Sequence, residues 1–209
     1  MKQLIDLTTW PRREHFTFFS ALDEPFFGLV ADVDCTAAPA EAKRLGVSFF
    51  LYYLHCALQA ANEVEEFRCR IEQGQVYRYD RIHASAVIGR PDHTFGFSFI
   101  EQQDSLTDFV AGAQAEIEAV QQATGLCLSE QTARPDAIHF SAIPWVRFTG
   151  LTHARGFQHP DSAPKISVGQ TYQDGATLRM PVSVNLHHGL GDAYHVGLFL
   201  QAFQQRLSG

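Results

Sequence analysis

Residues 177–207 read TLRMPVSVNLHHGLGDAYHVGLFLQAFQQRL. The first part, Thr177–Leu186, is rich in β-forming types and predicts a strand. From Asp192 to about Leu207 helix formers take over, and Asp192 suits an N-cap. Gly189 and Gly191 punctuate the change between them, where they are expected to give the backbone conformations closed to other residues. A strand running directly into a helix by way of an exposed turn is the unit from which a mixed α/β fold is built.

The same order recurs upstream. Phe26–Val33, FFGLVADV, reads as a strand, and Ala40–Val64 reads as one long helix. Its apolar residues Phe49, Tyr52, Tyr53, Cys56 and Ala60 recur at i, i+3, i+4 spacing and define one buried face. Arg68–Ile71 and Val76–Tyr79 flank the turn residues EQGQ and read as a hairpin. Strands are expected at Ala84–Ile88 and Phe95–Ile100, separated by the turn RPDH. A helix capped by Asp104 or Ser105 should run to about Ala123 and end at Gly125. Ala137–Phe148 reads as a strand whose proline marks a bulge or an edge. A polar loop over Ala154–Pro164 precedes a strand at Ile166–Tyr172. Strands outnumber helices and no linker divides residues 1–209. The expectation is one α/β domain of the α+β two-layer type, a large mixed sheet with helices on one face.

Composition narrows the function. The chain has 209 residues, long enough to bury a core without staples, and 45% of them are hydrophobic, including 17 phenylalanines. The formal net charge is −7 and the 16 basic residues are scattered, which excludes a nucleic-acid footprint. The four cysteines form no CxxC pair, and the polar opening MKQLIDLTTWPRREHF lacks a secretory apolar region, so a cytoplasmic setting is expected. No apolar run reaches the roughly 18 residues of a membrane helix, and no membrane partner is expected.

Chemistry concentrates in Asn185–His195, NLHHGLGDAYH. Histidine titrates near neutrality, so a neutral His188 on an exposed turn can take a proton from a hydroxyl. The residues alone leave other readings open. His187, His188 and His195 can pack or hydrogen-bond, Asp192 can act only as a cap, and a helical segment would bring His188, Asp192 and His195 to one face as metal ligands. The two glycines oppose that last option, and no fourth ligand is evident.

The order HHGLGDAYHVG resembles the active-site segment of the chloramphenicol acetyltransferases, HHxxxDG followed by an aromatic residue, histidine and valine; Ala193 replaces the glycine. WPRREHF at Trp10–Phe16 and SAIPWVRF at Ser141–Phe148 match further segments, and EFR at Glu66–Arg68 extends the similarity along nearly the whole chain. The acyltransferase core of the 2-oxo acid dehydrogenase complexes shares the histidine-x-x-x-aspartate-glycine element, but WPRREHF points away from it.

The resemblance implies a CoA-dependent acyltransferase-like fold and an acetyl-CoA-dependent O-acetyltransferase that uses no metal. It implies a homotrimer whose active sites lie between subunits, and a hydroxylated acceptor, foremost chloramphenicol, with antibiotic inactivation as the outcome. On this basis His188 is the general base, Ser141 donates to the oxyanion, and Ser167 supports it through water. Asp192 pairs with Arg12 to hold the loop, and Phe18 and Trp145 line the pocket. Phe19 stands where the family has an acceptor-binding tyrosine, and Gln170 and Thr171 stand where a lysine and a tyrosine help the coenzyme. Asp23-Glu24 occupies a stretch that is more apolar in the family. These departures, with Ala193, leave two alternatives: transfer to a different acceptor, or a binding protein with little turnover.

Overall fold

The computed structural model describes residues 1–156 and 161–208. In chain order the elements are β1 (Lys2–Leu4), α1 (Arg13–Phe19), β2 (Phe26–Asp34), α2 (Ala38–Arg44), α3 (Phe49–Glu63), β3 (Cys69–Glu72), β4 (Gln75–Tyr79), β5 (His83–Gly89), β6 (Phe95–Ile100), α4 (Leu106–Gln122), β7 (Ala137–Ile143), β8 (Lys165–Gly169), β9 (Tyr172–Asp174), β10 (Thr177–His187) and α5 (Ala193–Leu207). The large sheet is ordered β2-β10-β8-β7-β5-β6, with β9 paired to the start of β10. β5, β7 and β8 run parallel to one another and the remaining pairings are antiparallel, so the sheet is mixed. A small antiparallel sheet, β1-β4-β3, completes the fold.

Period-two alternation decides what the sheet faces. Ile138, Phe140, Ile166, Val168, Val182, Val184 and Leu186 point to one side and join Leu54, Leu58, Phe109, Phe199 and Phe203 of α3, α4 and α5 in a single core. Each such side chain contributes about 1.5–3 kcal/mol on burial. The alternate residues Ser85, His139, Ser141, Lys165, Ser167, Ser183, Asn185 and His187 face the other way. The helices therefore cover one face, as expected, and leave the other with polar rows across β7, β8 and β10.

Several boundaries differ from the sequence reading. The helix expected over Ala40–Val64 is two helices, because Gly46 takes a φ of 72° and Ser48 restarts the helix as an N-cap, accepting from the Leu51 N–H at 3.2 Å. The strand expected over Ala137–Phe148 stops at Ile143, just before Pro144, which has no N–H for a ladder. The strand expected over Ile166–Tyr172 is split between β8 and β9. The polar loop at Ala154–Pro164 includes residues 157–160, which lie outside the described residues. The hairpin reading holds: Glu72 pairs with Gln75, and the connecting Gln73 and Gly74 have φ of 52° and 76°, the signature of a two-residue type I′ turn. Ser105 caps α4, accepting from the Asp108 N–H at 3.4 Å.

One buried group ties the small sheet to the large one. The Arg70 guanidinium is 1% exposed and donates to four backbone carbonyls: Phe67 (2.8 Å), Cys69 (2.7 Å), Pro135 (2.6 Å) and Ala137 (2.9 Å). Burial lowers its pKa to about 10, so it remains charged at neutral pH, with carbonyl dipoles in place of a carboxylate.

Candidate active site

β10 ends at His187, which pairs with Phe26, and the next residue, His188, donates its N–H to the Pro25 carbonyl at 2.8 Å. The chain then folds tightly back, with Leu190 and Gly191 N–H groups both donating to the His187 carbonyl (2.9 and 3.1 Å). Neither Gly189 nor Gly191 has a positive φ, which corrects the conformational role expected of them. Their small size is what the turn needs. A Cβ on Gly191 would lie 2.5 Å from Leu186 Cδ2, and one on Gly189 would lie 3.1 Å from His187 Cε1 and 3.2 Å from Phe16 Cα. Phe16 and Leu190, with Cys69 and Val76, form a second small core beneath this loop.

The His188 ring is half-buried and held by two phenylalanines. It stacks on Phe19 with centroids 3.9 Å apart and planes 13° apart, and it leans on Phe27 at 4.6 Å. Nδ1 is buried without a hydrogen-bond partner among the described residues, whereas Nε2 is not enclosed in this way. Arg12 fixes the backbone: Nη2 donates to the His188 carbonyl at 3.2 Å and Nη1 to Asp192 Oδ2 at 2.8 Å.

Asp192 is both ion-pair partner and helix cap. Its Oδ1 accepts from the Tyr194 N–H at 3.0 Å. Burial pushes its carboxyl up, but the Arg12 hydrogen bond, His195 and the Tyr194 N–H outweigh that and hold it below the usual range. His195 closes the capping box: Nδ1 accepts from the Asp192 N–H at 3.1 Å, and Nε2 faces Glu66 Oε1 at 3.2 Å. Both nitrogens of His195 are thus engaged away from His188. Among the described residues no group of three or more His, Cys, Asp or Glu side chains could hold a metal ion. His187 is 3% exposed, and burial together with Arg155 lowers its pKa to about 4; its Nδ1 accepts from the Gly189 N–H at 3.2 Å. It is a neutral structural histidine. Ala193 is the exposed first residue of α5 without a positive φ, so the missing glycine leaves the loop unstrained.

The other candidates gather elsewhere. Ser141 on β7 is the register partner of Ser167 on β8, and Ser167 is the partner of Ser183 on β10, placing the three in one row on the helix-free face. Ser167 is fully buried, and its Oγ has no partner among the described residues. The turn after β7 leaves Trp145 77% exposed, and Gln170 donates its N–H to the Val146 carbonyl at 2.9 Å, which puts Gln170 and Thr171 beside that turn. Phe18, on α1 near His188, is 64% exposed.

The structure does not bring His188 and Ser141 of one chain together. His188 lies five residues beyond Ser183 and Ser141 lies two strands across from it, a separation of roughly 19 Å at ordinary strand spacings. The hydrogen-bonding alternative weighed for His195 is the one the structure shows, whereas the role of Glu66 was passed over although EFR was visible as a similarity. Sequence reasoning passed over Lys165, Arg155 and His153 as well, because a loop of polar residues does not show that its charges turn inward.

Comparison with known proteins accords with this geometry. The family model for chloramphenicol acetyltransferase matches residues 2–204. Chloramphenicol acetyltransferase 2 of Escherichia coli is 27% identical over 201 residues, covering 96% of this chain and 94% of that one. The enzyme of Streptomyces acrimycini is 27% identical over 208 residues, covering 98% and 93%. A solved chloramphenicol acetyltransferase superposes with a TM-score of 0.91 at 31% identity, covering 99% of this chain and all of the other. A dihydrolipoamide acetyltransferase from Azotobacter vinelandii shares only the fold, at 18% identity, a TM-score of 0.66 and coverage of 93% and 86%. With a family match along nearly its full length and a strand-to-helix loop built around His188, Asp192 and Arg12, the chain belongs to the chloramphenicol acetyltransferase family of acyltransferase enzymes.

Proposed function

We propose that this protein transfers the acetyl group of acetyl-CoA to the hydroxyl of a small molecule, with His188 as general base and the reacting site shared between two copies of the chain. The observation that carries this reading is the held imidazole of His188. It is fixed in orientation by Phe19 and Phe27, its backbone is tied to Arg12, and Nε2 is left available.

In the first step Nε2 accepts the proton of the acceptor hydroxyl as that oxygen bonds to the thioester carbonyl carbon. The developing oxyanion accepts from Ser141 Oγ–H, with Ser167 beside it on the same face. The C–S bond then breaks, and the imidazolium returns its proton to the leaving thiolate, so that ester and free thiol form and the histidine is regenerated. Asp192 and Arg12 act by positioning and carry no proton.

The residues suit acetyl-CoA as a substrate. A cavity of about 380 Å³ lies between Phe49, Phe50 and Tyr53 of α3 and Pro144 and Trp145, just past Ser141. Its apolar walls fit the pantetheine arm, and an exposed Trp145 offers a stacking surface to a base. Gln170 and Thr171 border the same turn. Chloramphenicol, for which the relatives are named, presents a primary hydroxyl and is the reference acceptor.

The homotrimer implied by the resemblance supplies what one chain lacks, because a second copy can bring its Ser141 to the first copy's His188. Subunit complementation tests this. Assayed separately with acetyl-CoA and chloramphenicol, His188→Ala and Ser141→Ala should each release little thiol. Refolded together at equal concentration in a cyclic oligomer, they should recover about a quarter of wild-type sites, the fraction with an intact residue on each side of the interface. Activity that stays at the level of the parents would refute the shared site.

A further inference from the structure

The helix-free face of the sheet holds a recess of about 460 Å³ one residue row from the candidate oxyanion serines. The row Ser141, Ser167, Ser183 is followed two residues along by His139, Lys165, Asn185 and Gly28, each the register partner of the next. Lys165, Ser183, Asn185 and Gly28 are among the residues lining the recess, and its walls include Glu24, His153 and Arg155.

This lining is charged and desolvated. Lys165 is 4% exposed, pairs with Asp161 and donates to the Ala163 carbonyl at 3.3 Å. Arg155 pairs with Glu24 and lies 3.7 Å over the Phe26 ring. Glu24, the carboxylate among the described lining residues, and Asp161, the partner of Lys165, are therefore both already engaged by cations. The uncommitted groups are of the opposite kind: Arg155 Nε, His153 Nε2 and the Ser167 hydroxyl are buried without a partner among the described residues, and each can donate. A neutral apolar acceptor seated here would leave them unpaired, which a buried donor tolerates poorly. The local electrostatics agree. Burial lowers the pKa of His153 and Lys165, with nearby cations adding to it in both cases, and Lys165 is raised again only by Asp161.

We infer that the acceptor is a hydroxy acid: a small molecule whose carboxylate is held by Arg155 and His153 while its hydroxyl reaches the Ser141–Ser167 row. The inference rests on the acyl-transfer reading above and names the substrate class of that site. It makes chloramphenicol, an acceptor without a carboxylate, a poorer fit than the family name suggests. The bond changes are those already given, and the carboxylate takes no part in them.

The test uses matched pairs that keep the hydroxyl and change only the charge: N-benzoylserine, mandelic acid and salicylic acid against their methyl esters, with chloramphenicol alongside. Thiol release from acetyl-CoA gives kcat/KM for each, and thermal protection of the wild-type protein gives binding independently of turnover. At least one acid should exceed its ester by roughly tenfold or more, as a charge-assisted contact predicts. Arg155→Met should bring that ratio close to one. Because the wild-type ratio and the thermal protection need no variant, a misfolded Arg155→Met leaves the test intact. If no acceptor releases thiol, yet an acid protects the fold more than its ester, the binding inference stands and the acyl-transfer reading fails. If chloramphenicol and the esters are turned over as well as the acids or better, acyl transfer stands and the inference is overturned. It is equally overturned if no acid exceeds its ester in either measurement.

Discussion

Replacing Asp192 by asparagine separates its two duties, because the amide oxygen can still cap α5 at the Tyr194 N–H while the charge opposite Arg12 disappears. The Arg12 and Asp192 side chains are 13% and 34% exposed, and the contact is 2.8 Å. With charge centres about 4 Å apart and an effective dielectric near 20, the attraction is about 4 kcal/mol; solvent at the more exposed partner reduces this to about 2 kcal/mol. Asp192→Asn should therefore lower stability by about 2 kcal/mol, or roughly 6 °C in Tm for a chain of this size. Asp192→Ala should lose about 1 kcal/mol more, the usual worth of a cap.

The catalytic effect of Asp192→Asn should fall mainly on kcat, by up to about 30-fold if the loosened loop misplaces His188, with KM for acetyl-CoA little changed. The pH dependence has a defined sign. The folded carboxyl of Asp192 lies below its ordinary value, so its contribution is complete above the unfolded pKa of about 4 and is lost as pH falls through the lower folded pKa. The stability gap between wild type and Asp192→Asn should be widest above about pH 5 and close in stronger acid. Urea unfolding at several pH values and steady-state thiol release supply the measurements. A gap that is constant with pH, or an Asp192→Asn variant with unchanged kcat, would refute the reasoning.

Two further substitutions probe the surroundings of the loop. Gly191→Ala would set a methyl 2.5 Å from Leu186 Cδ2 and 3.3 Å from Glu66 Cβ, so overpacking should cost about 1–3 kcal/mol and reduce kcat; wild-type Tm and turnover would show that the loop tolerates a side chain. Arg70→Met would orphan four buried carbonyls, and at roughly 1–3 kcal/mol for each it should remove most soluble protein or lower Tm by more than 10 °C, whereas a Tm within 2 °C of wild type would show that water replaces the guanidinium.

Much of the chain was legible from local pattern. The junction at Asn185–His195, the Gln73-Gly74 hairpin and the Ser105 cap are set by residues within a few positions of one another, so propensity and turn chemistry suffice to find them. HHGLGDAYHVG was legible for the same reason. The break between α2 and α3 was also local, but the unbroken apolar periodicity hid Gly46.

What the tertiary structure decided involves partners far apart in the chain. Arg12 and Asp192 meet across 180 residues, and only folding shows that the guanidinium also grips the His188 carbonyl. Gly189 and Gly191 are small because Phe16, His187, Leu186 and Glu66 crowd them, a constraint no backbone propensity encodes. The separation of His188 from Ser141 follows from strand order, and the inward turn of Lys165 and Arg155 follows from which sheet face the helices leave bare. Composition and periodicity report what a residue prefers, whereas long-range packing determines what stands opposite it, and the chemistry of this site depends on what stands opposite.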